Sequence, residues 1–420
     1  MLRGKDIVCI SSLDWRALWT SKQQIMHRLA QTNRVLYVEE PVTMLAPLKV
    51  PSRWRRWGAV APRVDRIDAG LWTLTPPPLL PFGNMRPRVN GANQAILARY
   101  VHWALGRLWF DSEYILWTYL PASVGLLDRV GARPGESGLS AAGPTTLTRS
   151  YRREGSRRPS LVVYHCVDEH SEFPGFVTPE VVKNYDEELT RRADLVITTA
   201  ENLRNSRLPL NPNTHTVLNA ADTEIFSRAL DPGLPLPADL ASIPAPRLGV
   251  VGVHDSRLDL EALEHLAKAE PSWRIVLVGP LKAGQIDEAR LRRHPNIHLL
   301  GEKPRSELPG YLKGFTVALV PYKTNELTRN IFPLKLFEYL AAGLPVVAGG
   351  LPELHRFRGI IELVGGPDDY PRLVRLAMST DGPGKRAARV ALAAENTWDH
   401  RAEEISRLVE EALERVAVGR

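Results

Sequence analysis

The sequence predicts an α/β protein made of two successive parallel-sheet domains, and three observations carry that expectation. Short apolar runs alternate with amphipathic stretches, first near the N-terminus and again after residue 246. A proline-rich stretch, RALDPGLPLPADLASIPAPR, separates the two series. The 420 residues, at roughly 150 per domain, leave room for two or three domains.

In order, DIVCISS (6–12) reads as a buried strand, KQQIMHRLAQ (22–31) as a helix and RVLYVEE (34–40) as a strand ended by Pro41, together a β-α-β unit. Residues 41–92, rich in Pro, Arg and Trp, read as loops and short helices laid over that scaffold. A helix over 92–110 and the strand YILWTY (114–119) follow. Residues 131–160 hold Gly, Ser, Pro and Arg without apolar patterning, so they read as a flexible insertion. The strand LVVYHCV (161–167) then presents Asp168, Glu169 and His170 at its end, before strands DLVITT (194–199) and HTVLN (215–219). The second series has strands at 247–253, 274–280, 296–302, 315–322, 345–350 and 360–364, and helices at 258–269, 281–293, 333–342 and 396–416. The expected organisation is a first domain over 1–227, a linker over 228–246, a second domain over 247–395 and a terminal helix over 396–420.

Composition narrows the class. With 44% hydrophobic and 24% charged residues the chain is globular. Two cysteines, Cys9 and Cys166, exclude a disulfide framework and a cysteine-rich metal site, and a reducing compartment fits. Apolar runs fall far short of the roughly 18 residues a spanning helix needs, and Asp14 interrupts any signal-like core, so neither export nor a membrane span is expected. The charge is uneven: residues 1–160 carry 23 Lys and Arg against 11 Asp and Glu, whereas 161–240 carry 6 against 13. In KVPSRWRRWGAVAPRV (49–64), Trp54, Arg55, Arg56 and Trp57 suit contact with an anionic membrane, a solvated basic loop being the plainer alternative. No nucleic-acid module accompanies the charge, so nucleic acid is not an expected partner.

In open α/β sheets ligands bind beyond the carboxyl ends of strands, where helix N-termini present free N–H groups. The stretch NIFPLKLFEYLAAGLPVV (330–347) fits such a place. Pro333 suits a first helical turn, and Gly343 with Pro345 ends the helix and starts a strand. Lys335 and Glu338 share one edge of the buried stripe, so an anion at the helix start would meet the Lys335 ammonium, and Glu338 could accept hydrogen bonds from two ribose hydroxyls. A surface Lys/Glu pair is the other reading.

PLKLFEYLAAGLPVV resembles the C-terminal signature of GT-B glycosyltransferases of family four. NAADTEIF (219–226) matches an element before the linker, and NTWDHRAEEI (396–405) a segment leading into the terminal helix. The opening SSLDWRALWTSKQQIMHRLAQTNRVLYVEEP, with VVYHCVDE and RLDLEALEHLAKAEPSWRIVLVGP, is similar to bacterial teichuronic-acid and related cell-surface polysaccharide transferases. The resemblance spares only 41–90 and 131–160. It implies a GT-B fold, two Rossmann-like domains facing a cleft, with the terminal helix crossing back to the first. It also implies transfer from a UDP- or GDP-sugar to a glycan or lipid-linked acceptor, with retention and without a metal or other cofactor, at the cytoplasmic face of the membrane.

Carried over position by position, the resemblance makes Glu338, Lys335, Pro333, Asn330, Gly252 and Arg257 donor-binding candidates. Asn330 stands eight before Glu338, where many relatives have a second glutamate. Gly252, His254 and Arg257 occupy the loop in which relatives carry a phosphate-binding Arg/Lys pair, and Arg257 with Lys335 is the substitute. His165 and Asp168 are the catalytic candidates, with core burial of His165 and helix capping by Asp168 left open. Trp19 and Lys22 are expected at the same cleft. A sugar-nucleotide epimerase of this architecture and an inactive scaffold subunit, the latter motivated by Asn330, are the rival readings.

Overall fold

The computed structural model describes residues 1–46, 63–131, 157–172 and 177–418. Trp54, Arg55, Arg56 and Trp57, and most of the expected insertion 131–160, lie outside the described residues. The chain forms two units, Met1–Val217 with Arg401–Arg420, and Leu218–His400.

In the first unit the chain runs β1 (Asp6–Ile10), α1 (Ser21–Leu29), β2 (Arg34–Val38), β3 (Arg63–Asp68), β4 (Leu71–Thr75), α2 (Pro87–Arg107), β5 (Glu113–Thr118), β6 (Arg158–Cys166), α3 (Pro179–Arg192), β7 (Leu195–Thr198), α4 (Glu201–Arg207) and β8 (Thr214–Thr216). These strands make one sheet in the order β3-β4-β2-β1-β5-β6-β7-β8, parallel apart from β3. β1 is buried along its whole length, the pattern of a strand covered on both faces. The β3–β4 pair corrects the expectation of loops and short helices over 41–92. Arg63, Asp65, Arg66 and Asp68 give β3 no apolar alternation to read, and they suit an edge strand whose charges discourage further pairing.

The second unit contains β9 (Arg247–Val251), α5 (Leu260–Ala269), β10 (Arg274–Val278), β11 (Ile297–Gly301), β12 (Val317–Val320), α6 (Lys335–Ala341), β13 (Val346–Ala348), β14 (Glu362–Leu363), α7 (Tyr370–Thr380) and α8 (Pro383–Glu395). Its sheet is wholly parallel, in the order β11-β10-β9-β12-β13-β14. The order reverses between β9 and β12, so the crevice beyond their carboxyl ends is the place where a doubly wound sheet takes a ligand. The helix expected over 281–293 shortens to Glu288–Arg292, opened by Asp287, whose carboxylate accepts from the Arg290 N–H at 3.0 Å.

The proline-rich stretch 228–246 packs on the second unit instead of standing as a bare linker. Leu240 and Ile243 are buried in its core, and the Lys313 ammonium donates to the carbonyls of Asp231, Pro232 and Leu234. Prolines stiffen this stretch without excluding it from packing, which composition alone does not reveal. α9 (Trp398–Val418) begins in the second unit and passes into the first from Arg401, burying Ala402, Ile405, Val409 and Ala412 at helical spacing.

Tight packing around β9 makes one prediction. A Cβ on Gly249 would fall 2.0 Å from the ring of buried Phe315. Gly249→Ala is therefore expected to destabilise the second unit by about 1–3 kcal/mol, read as a lower urea midpoint. An unchanged midpoint would show that Phe315 can move aside.

Candidate functional site

At the sheet reversal of the second unit, β9 is followed by Gly252 with φ +119°, a conformation that L side chains rarely adopt. A Cβ there would also lie 3.2 Å from the Lys335 Nζ. β12 leads to Tyr322, whose ring carries the Lys335 ammonium 5.0 Å and the Arg257 guanidinium 5.5 Å from its centroid. Sequence reasoning supplied both cations and missed the aromatic platform between them. Pro321-Tyr322 directly after an apolar run was the available signal.

The two cations differ in state. Arg257 donates to both carboxylate oxygens of Asp255, Nε at 2.8 Å and Nη2 at 2.6 Å, so much of its charge is already answered. Lys335 is buried to 8% exposure, and among the described residues its ammonium makes no hydrogen bond or salt bridge, although Glu338 feels its charge. This goes against the alternative of a surface Lys/Glu pair, because α6 is buried nearly all round. Pro333 is buried just ahead of α6, which begins at Lys335 and not at 333. The Tyr339 hydroxyl accepts from the Val251 N–H at 2.8 Å, tying α6 to the end of β9 next to Gly252. Asn330 instead donates to the Glu326 carbonyl at 2.8 Å, capping its own short helix.

Glu338 gathers residues that sequence reasoning did not assign. Burial raises the Glu338 pKa, and Arg305, Lys335 and Asp222 are the charges it feels, the two cations opposing the rise. Arg305 pairs with Asp222 at 3.5 Å and lies over Phe226, while Asn219 donates to the Phe332 carbonyl at 2.9 Å. The NAADTEIF segment thus braces the Glu338 side of the site.

In the first unit, Lys22 and His165 come together at the carboxyl ends of β1 and β6. Lys22, in the first turn of α1, is buried over the Tyr119 ring, 5.5 Å from its centroid. Burial lowers its pKa, while Asp168 favours the charged form. His165 packs against Tyr119 at 4.9 Å and Trp117 at 5.8 Å, and its Nδ1 is buried without a hydrogen-bond partner among the described residues. Burial, aided by the Lys22 charge, pulls its pKa down to about 3. His170, nearby, is pulled down to about 4 by burial and then by Lys22. Trp19 belongs to another cluster, 5.3 Å from Trp15 and 5.4 Å from His27. Glu169 is held by Arg207 at 2.9 Å, and among the described residues no group of three His, Cys, Asp or Glu side chains could hold a metal ion.

His254, beside Lys335, is also pulled down to about 3, by burial and then by the Lys335 charge. A histidine whose folded pKa lies below its unfolded value near 6.5 costs stability as the pH falls from about 6.5 toward 3. His165 and His254 should each cost about 1 kcal/mol at pH 5.5 relative to neutral pH. His165→Gln is expected to flatten this acid loss, measured by urea unfolding at both pH values; an equal loss in the variant would reject the assignment.

Comparison with known proteins fits this geometry. Residues 246–373, which hold the Gly252, Tyr322 and Lys335 cluster, match the family model described as Glycosyl transferases group 1. TuaH of Bacillus subtilis (strain 168), named as a teichuronic acid biosynthesis glycosyltransferase, is 30% identical over 199 residues, covering 46% of this chain and 49% of that protein. The matched chain thus spans about half the length of this curated relative. Sucrose-phosphate synthase from Thermosynechococcus elongatus superposes with TM-score 0.65 at 17% identity, over 97% of this chain and 98% of that one. An α,α-trehalose 6-phosphate synthase from Burkholderia multivorans gives 0.67 at 13%, over 100% of both. Anabaena HepE in complex with UDP gives 0.62 at 14%, over 97% of this chain and 100% of that one. The fold is GT-B, and residues 246–373 of the second unit match the model of group 1 glycosyl transferases.

Proposed function

We propose that the protein transfers a sugar from a UDP- or GDP-sugar to a glycan or lipid-linked acceptor in bacterial surface polysaccharide synthesis, with retention, without a metal, at the cytoplasmic membrane face. The observation that carries this reading is the buried Lys335 ammonium, without a hydrogen bond or salt bridge among the described residues, on Tyr322 beside Gly252, at the sheet reversal of a domain matching group 1 glycosyl transferases. UDP is the ligand of the solved Anabaena HepE, which supports a uridine donor.

In this reading the diphosphate lies against the Gly252 backbone, Lys335 receives its charge and Arg257 assists from its pair with Asp255. Pro333 and Asn330 shape the rim, and Glu338 accepts from the ribose hydroxyls. The sugar–phosphate C–O bond breaks, the acceptor oxygen bonds to the anomeric carbon, and the acceptor proton passes to the departing phosphate. Lys335 stabilises the negative charge that grows on the leaving diphosphate. In the first unit Asp168 and Lys22 orient the acceptor, while His165, uncharged at neutral pH, serves as a neutral hydrogen-bonding group.

The test is a thermal-shift panel of sugar nucleotides followed by product analysis with bacterial membrane extract. The true donor, at 100 times its dissociation constant, should stabilise the fold by about 2.7 kcal/mol and release nucleotide only when acceptor is present. No stabilisation by any common sugar nucleotide would reject the reading. Binding without turnover would favour a scaffold, and acceptor-free conversion an epimerase. Glu338→Ala is expected to weaken donor binding by about 1.5–3 kcal/mol, measured by calorimetry. In the parent protein, affinity should fall as acid protonates Glu338 through its raised pKa. Unchanged affinity in the variant would remove Glu338 from the ribose.

A further inference from the structure

The cluster at the carboxyl ends of β1, β5 and β6 holds a buried charge that the fold leaves without a bonded partner. Lys22 is 6% exposed, yet among the described residues its ammonium makes no hydrogen bond or salt bridge and meets the face of Tyr119. Taking an ammonium out of water on these terms costs stability, so the position serves something other than folding. The charge is retained all the same, because both His165 and His170 feel it. Asp168 favours it electrostatically without closing on it as a salt bridge.

The groups around Lys22 are held in place. α1 has no acidic residue in its first turn, which leaves the positive end of its dipole for an anion from outside. The loop leading into α1 is tied down, since the Thr20 N–H donates to the Gln23 side-chain oxygen at 3.1 Å and the Gln23 amide donates to the Asp14 carbonyl at 3.0 Å. On the other side, the Tyr119 N–H donates to the Ile10 carbonyl at 3.0 Å, which fixes Tyr119 at the end of β1. His165, 2% exposed on β6, packs on the Tyr119 ring with its Nδ1 lacking a hydrogen-bond partner among the described residues. An ammonium, a neutral imidazole and a helix start thus meet where the order of the first sheet reverses, between β1 and β5.

The balance of charge selects the ligand. One ammonium stands here with Asp168 close enough to act on it, while Glu169 is taken by Arg207. A dianionic phosphate would bring two negative charges to a single cation that already has an acid nearby. A carboxylate brings one, and its two oxygens can accept from the Lys22 ammonium and from an imidazole or helix N–H. We infer that this cluster seats the carboxylate of a sugar acid, so that the acceptor unit is a uronic acid or another carboxylate-bearing sugar. The inference rests on the proposed transfer for naming that sugar the acceptor; the carboxylate site itself stands on Lys22 and its neighbours.

The test titrates the full chain, by ligand-observed NMR, with glucuronate and galacturonate, each against its neutral hexose, and with glucose 6-phosphate. At least one uronate should bind ten times more tightly than its hexose and more tightly than glucose 6-phosphate. Lys22→Met should bring that affinity down to the level of the hexose while melting no lower than the parent, because methionine removes a buried charge. Lys22→Gln, also neutral, is the second variant and should show the same loss. No preference for either uronate, tighter binding of glucose 6-phosphate, or an undiminished preference in a folded variant would each overturn the inference. A preference for UDP-glucuronate over UDP-glucose that Lys22→Met abolishes would put the carboxylate on the transferred sugar and overturn the acceptor assignment. Sugar-nucleotide stabilisation of the same samples separates the two readings. Uronate binding through Lys22 without donor binding keeps the carboxylate site and rejects the transfer; donor binding without uronate preference does the reverse.

Discussion

Lys335→Met is expected to weaken binding of UDP or the donor nucleotide by about 1.5–3 kcal/mol, roughly 10- to 150-fold, while leaving the protein as stable as the parent or more so. The two outcomes come from one circumstance. Lys335 is buried, and among the described residues its ammonium meets an aromatic face and feels Glu338 without forming a salt bridge, so in the free protein its charge is only partly compensated. Methionine fills nearly the same volume without that charge, and its thioether packs well on an aromatic ring such as Tyr322. A side chain whose role is structural would behave in the opposite way, losing stability on substitution and leaving nucleotide affinity alone. Calorimetric titration with UDP, paired with thermal unfolding of the same samples, checks both. Unchanged affinity would show that Gly252, Arg257 and the neighbouring backbone hold the diphosphate without Lys335. The same substitution should also ease the depressed pKa of His254, because the Lys335 charge is the second cause of that depression after burial.

The residues most readable from sequence are those whose neighbours are punctuated by backbone chemistry. Pro333 before a helix and Gly343-Pro345 after it located α6, and with it Lys335 and Glu338, to within two residues. Gly252 was reached only through the resemblance, as part of the loop after the first strand of the second domain, and its φ of +119° came from the structure. Tyr322, Arg305 and Asp222 were not readable in their roles, because each reaches the cluster from a different strand end or loop and local periodicity carries no record of that meeting. Arg257 shows a second limit: the sequence offers a cation, and only the structure shows it answered by Asp255 two residues earlier. β3 shows a third, since a strand at a sheet edge is selected for charge and so loses the alternation by which strands are recognised. In the first unit, alternation along LVVYHCV left two orientations open for His165, and packing against Tyr119 and Trp117 chose the buried one.

Arg207→Ala is expected to cost the first unit about 3–5 kcal/mol, the largest stability effect of any single substitution considered for that unit. Arg207 is 3% exposed and bridges two carboxylates from different elements, Glu169 at 2.9 Å and Asp186 at 2.8 Å, while the Tyr164 hydroxyl donates to Asp186. The arrangement ties α4 to α3 and to the segment after β6 that carries Asp168, so it positions a candidate acceptor-side residue as well as bracing the fold. Removing the guanidinium leaves Asp186 buried with a charge and no cation. Burial already raises the Asp186 pKa against the opposing effect of Arg207, and without Arg207 it should rise further. The sign of the pH dependence follows. A carboxyl with a raised folded pKa favours folding in its protonated form, and that benefit is lost as the pH rises through the folded value. The gap between parent and variant should therefore be widest near neutral pH and narrow as the pH falls and Asp186 takes up a proton. Arg207→Lys, which restores one charge but not the two-sided fork, should recover part of the stability. Thermal unfolding at neutral and mildly acidic pH is the measurement, with about 2–4 °C expected per kcal/mol for a unit of this size. A gap that stays constant with pH would mean that the loss comes from packing alone and that the buried Asp186 charge has no part in it.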